Sequence, residues 1–234
     1  MTGDPFRAAS EALRDPGGRV SELAHPFLRL LPVSGASIST FGPLLAAETI
    51  SATDERALRV DELQFDLGEG PCWDALAARR PVLEPEFASA HSAWPAFAHA
   101  IRDEQISAIF AFPLVFGPFE IGALDLYSTT PVALSVEQQR QTTALSAIVS
   151  RIVLRHAVGA ADAEADATSA FSRRLIHQAT GMVLAQLETT PDSAYLIIQA
   201  RAFAESRPMR AVAEDILERR IVFTALPEQD GGGA

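Results

Sequence analysis

The apolar pattern changes period once along the chain, and that change limits the fold more than any single motif. Up to about residue 157, helical spacing alternates with short runs of the two-residue strand period; beyond residue 168 only helical spacing remains. Mixed elements first and helices alone afterwards predict an α+β domain followed by an all-α one. Between them lies VGAADAEADATSA, small and acidic, with Gly159 as the expected break. These signals place a first domain at 18–157, a linker at 158–168 and a helical domain at 169–223.

In the first part, Val20, Leu23, Ala24, Phe27, Leu28 and Leu31 predict one amphipathic helix ending at Pro32. SGASISTF (34–41) and LLAAETIS (44–51) read as a hairpin around Phe41-Gly42-Pro43. A polar helix over 54–63 leads to the turn Leu67-Gly68-Glu69-Gly70-Pro71, a short helix over 71–79 and a short strand at Pro81-Val82-Leu83. Ser92 is the expected N-cap of a helix carrying Trp94, Phe97, Ala98 and Ile101. The apolar runs 106–116 and 119–127, parted by Gly117-Pro118, predict the central hairpin of a sheet whose interior holds Phe41, Phe110, Phe112, Phe116 and Tyr127. Ser135-Val136-Glu137-Gln138 opens a long helix with the stripe Leu145, Ile148, Val149, Ile152 and Val153. That stripe fits either a seam between subunits or packing on the chain's own sheet.

The second part holds three helical patterns, at 169–187, 191–205 and 208–221, with Thr190 capping the second and a proline opening the second and third. Short connections make them a small bundle. Gly181 sits mid-helix, where glycine costs about 1 kcal/mol relative to alanine. Its presence implies close approach by another helix or by a ligand backbone.

Charge is divided unevenly. The net charge is −11 over 234 residues, and every basic residue other than histidine is arginine. Residues 168–223 carry 7 Arg against 6 acids, a net of +1, while the remainder carries 12 Arg against 24 acids, a net of −12. An acidic sensor beside a near-neutral effector would have this distribution. No signal peptide is visible, and the longest apolar stretch, 106–119, is broken by Pro113, Gly117 and Pro118 and falls short of the roughly 20 residues of a spanning helix. A cytoplasmic protein is expected. The lone Cys72 excludes an internal disulfide, and no metal spacing, phosphate loop, dinucleotide fingerprint or paired-carboxylate motif is present. No enzyme activity and no cofactor are expected.

The Gly68-Glu69-Gly70-Pro71-Cys72 loop has two readings. It is a connecting turn, or its amides at a helix N-terminus hold an anion. Cys72 likewise reads as a small buried residue or as a redox-sensing thiol.

QFDLGEGPCWDAL (64–76), RRPV (79–82), WPAFAHAI (94–101), ISAIFAFPLVFG (106–117) and IGALDLYSTTP (121–131) occur in an order that resembles GAF sensor domains. RRLIHQATGMVLAQL (173–187), PDSAYLIIQARAFA (191–204) and PMRAVAEDIL (208–217) resemble the ANTAR domain, with Ala179-x-Gly181 as the signature of its first helix. From about residue 20 to 223 the chain is thus similar to bacterial GAF-ANTAR regulators. The resemblance implies an antiparallel sheet flanked by helices, then a three-helix RNA-binding bundle. Small core residues are implied at Ala194, Ala200, Ala202, Val212 and Ala213.

It further implies binding to double hairpins in nascent transcripts, antitermination, a homodimer, and a small-molecule or protein signal at the GAF part. The residues it points to are Arg173, Arg174, His177, Thr180 and Gly181 on the first helix, Gln199 and Arg201 on the second, and Arg210 on the third. Arginines would attract phosphate, and loop bases need stacking or hydrogen bonds. Thr180 and Gln199 stand where the family usually has basic residues, a loss of two charges that weakens phosphate binding by about an order of magnitude at moderate salt. The alternative is a bundle that has lost RNA binding and works through protein contacts.

Overall fold

A computed structural model of the protein describes residues 4–14, 19–41, 45, 47–87, 93–162 and 174–224. The chain divides into two compact units between Ser172 and Arg173.

The first unit is built on one antiparallel sheet of order β2-β1-β5-β4-β3, from β1 (Gly35–Thr40), β2 (Glu48–Ala52), β3 (Val82–Glu84), β4 (Ala108–Phe116) and β5 (Phe119–Ser128). The central hairpin falls where the two apolar runs placed it. Pro113 is tolerated in β4 because β3 pairs only with Ile109 to Ala111 and has ended before the proline.

One face of the sheet carries Ala36, Ile38, Phe110, Phe112, Leu114, Ile121, Leu124 and Leu126. These pack against α1 (Pro5–Arg14), α2 (His25–Leu30) and α6 (Val136–Asp162). Two expectations change here. The unit reaches upstream of residue 18, because Ala9 and Leu13 of α1 are buried in the same core. The single helix expected over 18–31 is instead a 3-10 turn at Val20–Glu22 followed by α2, whose first turn contains Pro26. A proline inside one continuous helix would remove a backbone hydrogen bond, so the chain restarts there.

In α6 the stripe Leu145, Val149 and Val153 is buried against this sheet, which selects the second of its two readings. Ser135 Oγ accepts from the Gln138 amide at 3.2 Å while Gln138 Oε1 accepts from the Ser135 amide at 2.9 Å, a reciprocal cap on the first turn. The helix then runs through Gly159 to Asp162, past the break expected at that glycine.

The opposite face is covered by α3 (Glu55–Leu67), α4 (Pro71–Ala78) and α5 (Pro95–Ala100). Asp54 caps α3 by accepting from the Ala57 amide. Trp94 occupies the N-cap position of α5, ahead of Pro95. Ser92, expected to cap this helix, lies outside the described residues. Phe116 is 41% exposed near the end of β4 and so is not an interior residue.

The second unit consists of α7 (Arg174–Leu187), α8 (Pro191–Ala204) and α9 (Met209–Leu217). Its core is Ile176, Ala179, Val183, Ala194, Ile198, Ala202, Met209, Val212, Ala213 and Ile216. Thr190 caps α8, accepting from the Ser193 amide at 3.2 Å, with Pro191 at the first helical position. Ala200, expected in this core, faces solvent.

Candidate nucleic-acid interface

Helix α7 buries Ile176, Ala179 and Val183 and turns His177, Gly181 and Ala185, spaced by four, toward solvent. A Cβ built on Gly181 would meet nothing within 4 Å. The close neighbour that a mid-helix glycine implies is therefore absent among the described residues. What remains of that reading is a surface on which a ligand backbone can settle against α7. Thr180 is half-buried and folds back, its hydroxyl donating to the Ile176 carbonyl at 2.8 Å. It presents no long polar arm where a basic side chain would reach outward. Arg174 is the first residue of α7, and Arg173 lies outside the described residues.

The other candidate residues sit on separate helices and are already engaged. Gln199 is half-buried on α8. Arg201 pairs with Glu205 one turn on, and Arg210 Nε lies 3.3 Å from Glu214. Arg207, to which no sequence motif pointed, donates to Glu205 at 3.0 Å and to Asp215 at 2.6 Å. Arg220 also donates to Asp215, at 2.6 Å. Hydrogen bonds from Arg207 and then Arg220 hold the Asp215 carboxyl below its ordinary range, and those from Arg201 and Arg207 do the same for Glu205. Arg207 thus ties the α8–α9 turn to α9. The exposed pairs of Arg201 and Arg210 are weak, so an incoming phosphate can displace either carboxylate.

Under α3 and α4 in the first unit lies a buried polar chain to which the sequence analysis gave no role. Ser39 Oγ donates to Asp61 Oδ1 at 2.5 Å, and Thr49 Oγ1 donates to Asp61 Oδ2. Gln64 Nε2 donates to Asp125 Oδ2 at 2.9 Å, and Gln64 Oε1 accepts from the Cys72 amide at 2.9 Å. Asp125 Oδ1 is buried without a hydrogen-bond partner. Burial first, then the nearby Asp61 charge, push the Asp125 carboxyl well above its ordinary range, against the opposing Gln64 bond.

The chain also settles how the Gly68–Cys72 loop is used. A Cβ on Gly70, whose φ is +141°, would collide with the Gln64 side chain at 2.6 Å. Glu69 Oε1 accepts from the Phe97 amide at 2.6 Å and so holds the first turn of α5. The Cys72 amide, one of those an anion would have to use, is occupied by Gln64. Cys72 itself is fully buried in a cluster with Phe41, Phe65 and Leu76, out of reach of a solvent oxidant.

Residues 8–154 match the GAF domain and residues 168–217 match the ANTAR domain. The chain belongs to the GAF domain family and carries a C-terminal ANTAR domain. Among solved structures, the GAF domain of an Acinetobacter phosphoenolpyruvate-protein phosphotransferase superposes with a TM-score of 0.53 at 14% identity, covering 68% of this chain and 98% of its own. The GAF domain of a phosphoenolpyruvate-protein phosphotransferase from Coxiella burnetii gives 0.50 at 14% identity, covering 67% and 95%. At such identities the likeness establishes the GAF fold alone. No match was found among curated proteins. No helix among the described residues is long and apolar enough to cross a membrane.

Proposed function

We propose that the ANTAR domain binds hairpin RNA in nascent transcripts and prevents termination, under the control of a signal received by the GAF domain. The observation that carries this reading is Gly181, a helix-weakening residue kept in open space on the exposed line of α7. Inside the bundle it has no use; against a phosphate-sugar backbone it allows close approach. His177 lies one turn before it, and Arg174 opens the same helix. The protein works in the cytoplasm, as a homodimer, with no bond-making step and no cofactor. The signal shifts an equilibrium between arrangements of the two domains.

A second reading is that the bundle has lost RNA binding and acts through protein contacts. It is favoured by Thr180 folding back onto α7 and by the carboxylates that neutralise Arg201, Arg207, Arg210 and Arg220. Titrating the full-length protein and its Thr180→Arg/Gln199→Arg variant with a double-hairpin RNA separates the two. The first reading expects measurable binding by the native chain, strengthened about tenfold or more by the two added charges. Binding that begins only with the variant transfers the assignment to the second.

A further inference from the structure

Charge on the GAF domain is segregated along α6. Between Glu137 and Asp162 that helix contains Arg140, Arg151, Arg155 and His156 and not one acid, although acids outnumber arginines two to one outside residues 168–223. Arg140 is already paired with Glu137. Arg151 and Arg155 are exposed, lie one turn apart, and have no ion-pair partner among the described residues. With Leu154 of α6 and Phe116 of β4 they line an open hollow of about 530 Å³, a size typical of ligand sites.

The aromatic wall of the hollow belongs to the tip of the β4–β5 hairpin. Phe116 is 41% exposed, and Phe119, its partner across the turn, is 47% exposed. Arg79 braces this tip, donating to the Gly117 carbonyl at 2.5 Å and to the Pro118 carbonyl at 3.1 Å. It also engages Glu120, the acid nearest the tip, at 3.8 Å. The two arginines of the hollow are thus left facing an exposed ring with no carboxylate to satisfy them.

Guanidinium groups without counter-charge attract phosphate, and an exposed ring offers its face to a base. A nucleotide carries both groups, and an open hollow admits a strand. We infer that this hollow binds an unpaired stretch of RNA, with a base stacked on Phe116 and phosphates held by Arg151 and Arg155. The inference rests on the RNA-binding reading above and adds a contact on the GAF domain to it. Helix α7 has no phenylalanine, tyrosine or tryptophan on which a loop base could stack, so the hollow supplies what α7 lacks.

Titration of the full-length protein with a double-hairpin RNA tests this. Arg151→Ala/Arg155→Ala should weaken binding about tenfold at moderate salt. Phe116→Ala should weaken it about fivefold or more, whereas Phe116→Tyr, which keeps a stacking ring, should bind like the wild type. Against a fully paired RNA duplex Phe116→Ala should cost nothing, because no base is free to stack. Arg14→Ala/Arg29→Ala removes two exposed arginines from α1 and α2 of the same domain and should leave affinity within about twofold of wild type, since distant charges are screened.

The outcomes separate. A wild type that binds no RNA refutes the RNA-binding reading and the inference with it. RNA binding that is indifferent to Phe116→Ala and to Arg151→Ala/Arg155→Ala refutes the inference alone. So does an equal loss from Arg14→Ala/Arg29→Ala, which would reduce the effect to net charge. Unchanged RNA affinity together with lost co-sedimentation on phosphatidylserine–phosphatidylcholine vesicles assigns the hollow to a lipid surface and refutes it too.

Discussion

Replacing Gly181 by alanine should make the protein more stable and a poorer RNA binder. The added methyl meets nothing within 4 Å, so it brings neither packing nor clash. The position is mid-helix in α7 and its φ is not positive, so alanine fits the backbone without strain. What changes is helix propensity, about 0.8–1 kcal/mol in favour of alanine, part of it expressed through a less mobile unfolded chain. In a unit of this size 1 kcal/mol moves the melting temperature by about 4–8 °C. Both tryptophans, Trp73 and Trp94, lie in the GAF domain, so their fluorescence follows that domain alone. Far-UV circular dichroism follows both domains. The bundle's transition is the part of the dichroism change that the tryptophans do not share, and it alone should move upward. In an RNA titration the same variant should bind more weakly, because the methyl stands where the ligand backbone would approach. An unchanged or lowered bundle transition refutes the structural reasoning, and unchanged RNA affinity refutes the role given to the glycine.

Three further outcomes are expected. Ile198→Ala removes a fully buried side chain from the bundle at a cost of about 2–5 kcal/mol. In so small a unit that should abolish the bundle transition while tryptophan fluorescence still reports a GAF domain of unchanged stability. Ser135→Ala removes the cap of α6 and should cost about 0.5–2 kcal/mol in the GAF transition, measured by urea unfolding. Asp125→Asn tests the raised carboxyl: a group whose pKa is higher when folded contributes stability that is complete below its unfolded pKa and fades as pH rises through the folded one. The stability of the variant relative to wild type should therefore be greater at pH 7.5 than near pH 4. A difference that is the same at both pH values contradicts the assignment.

Much of the architecture was legible because it rests on local pattern. The runs 106–116 and 119–127 with Gly117-Pro118 between them mark β4 and β5, and Thr190-Pro191 marks the start of α8. The failures share a cause, namely that burial is decided by distant partners. Leu13 lies in a short segment alternating acid and base, and only the packing of α1 on the sheet reveals it as core. Ala200 has the composition of a core residue but falls on the outward side of α8. Gly159 reads as a break, yet one glycine costs too little to end a helix as long as α6. Nothing in the sequence pairs Asp61 or Asp125 with a partner. Their buried partners, Ser39, Thr49 and Gln64, come from strands and a helix that only the fold brings together. On the candidate interface, the sequence pointed to Gly181 by its cost but not to the emptiness around it. Nor could it show that Arg201 and Arg210 are already paired.

A salt series shows whether this ANTAR domain binds RNA through α7. The full-length protein and its Arg173→Ala/Arg174→Ala variant would be titrated with a double-hairpin RNA from low to moderate ionic strength. Contact through α7 should give saturable binding whose affinity falls with salt. In the variant, binding should be weaker and the slope of log affinity against log salt shallower by about 0.7–0.9 for each phosphate that is no longer neutralised. No binding at any salt, or equal affinity and slope for the two proteins, would contradict it.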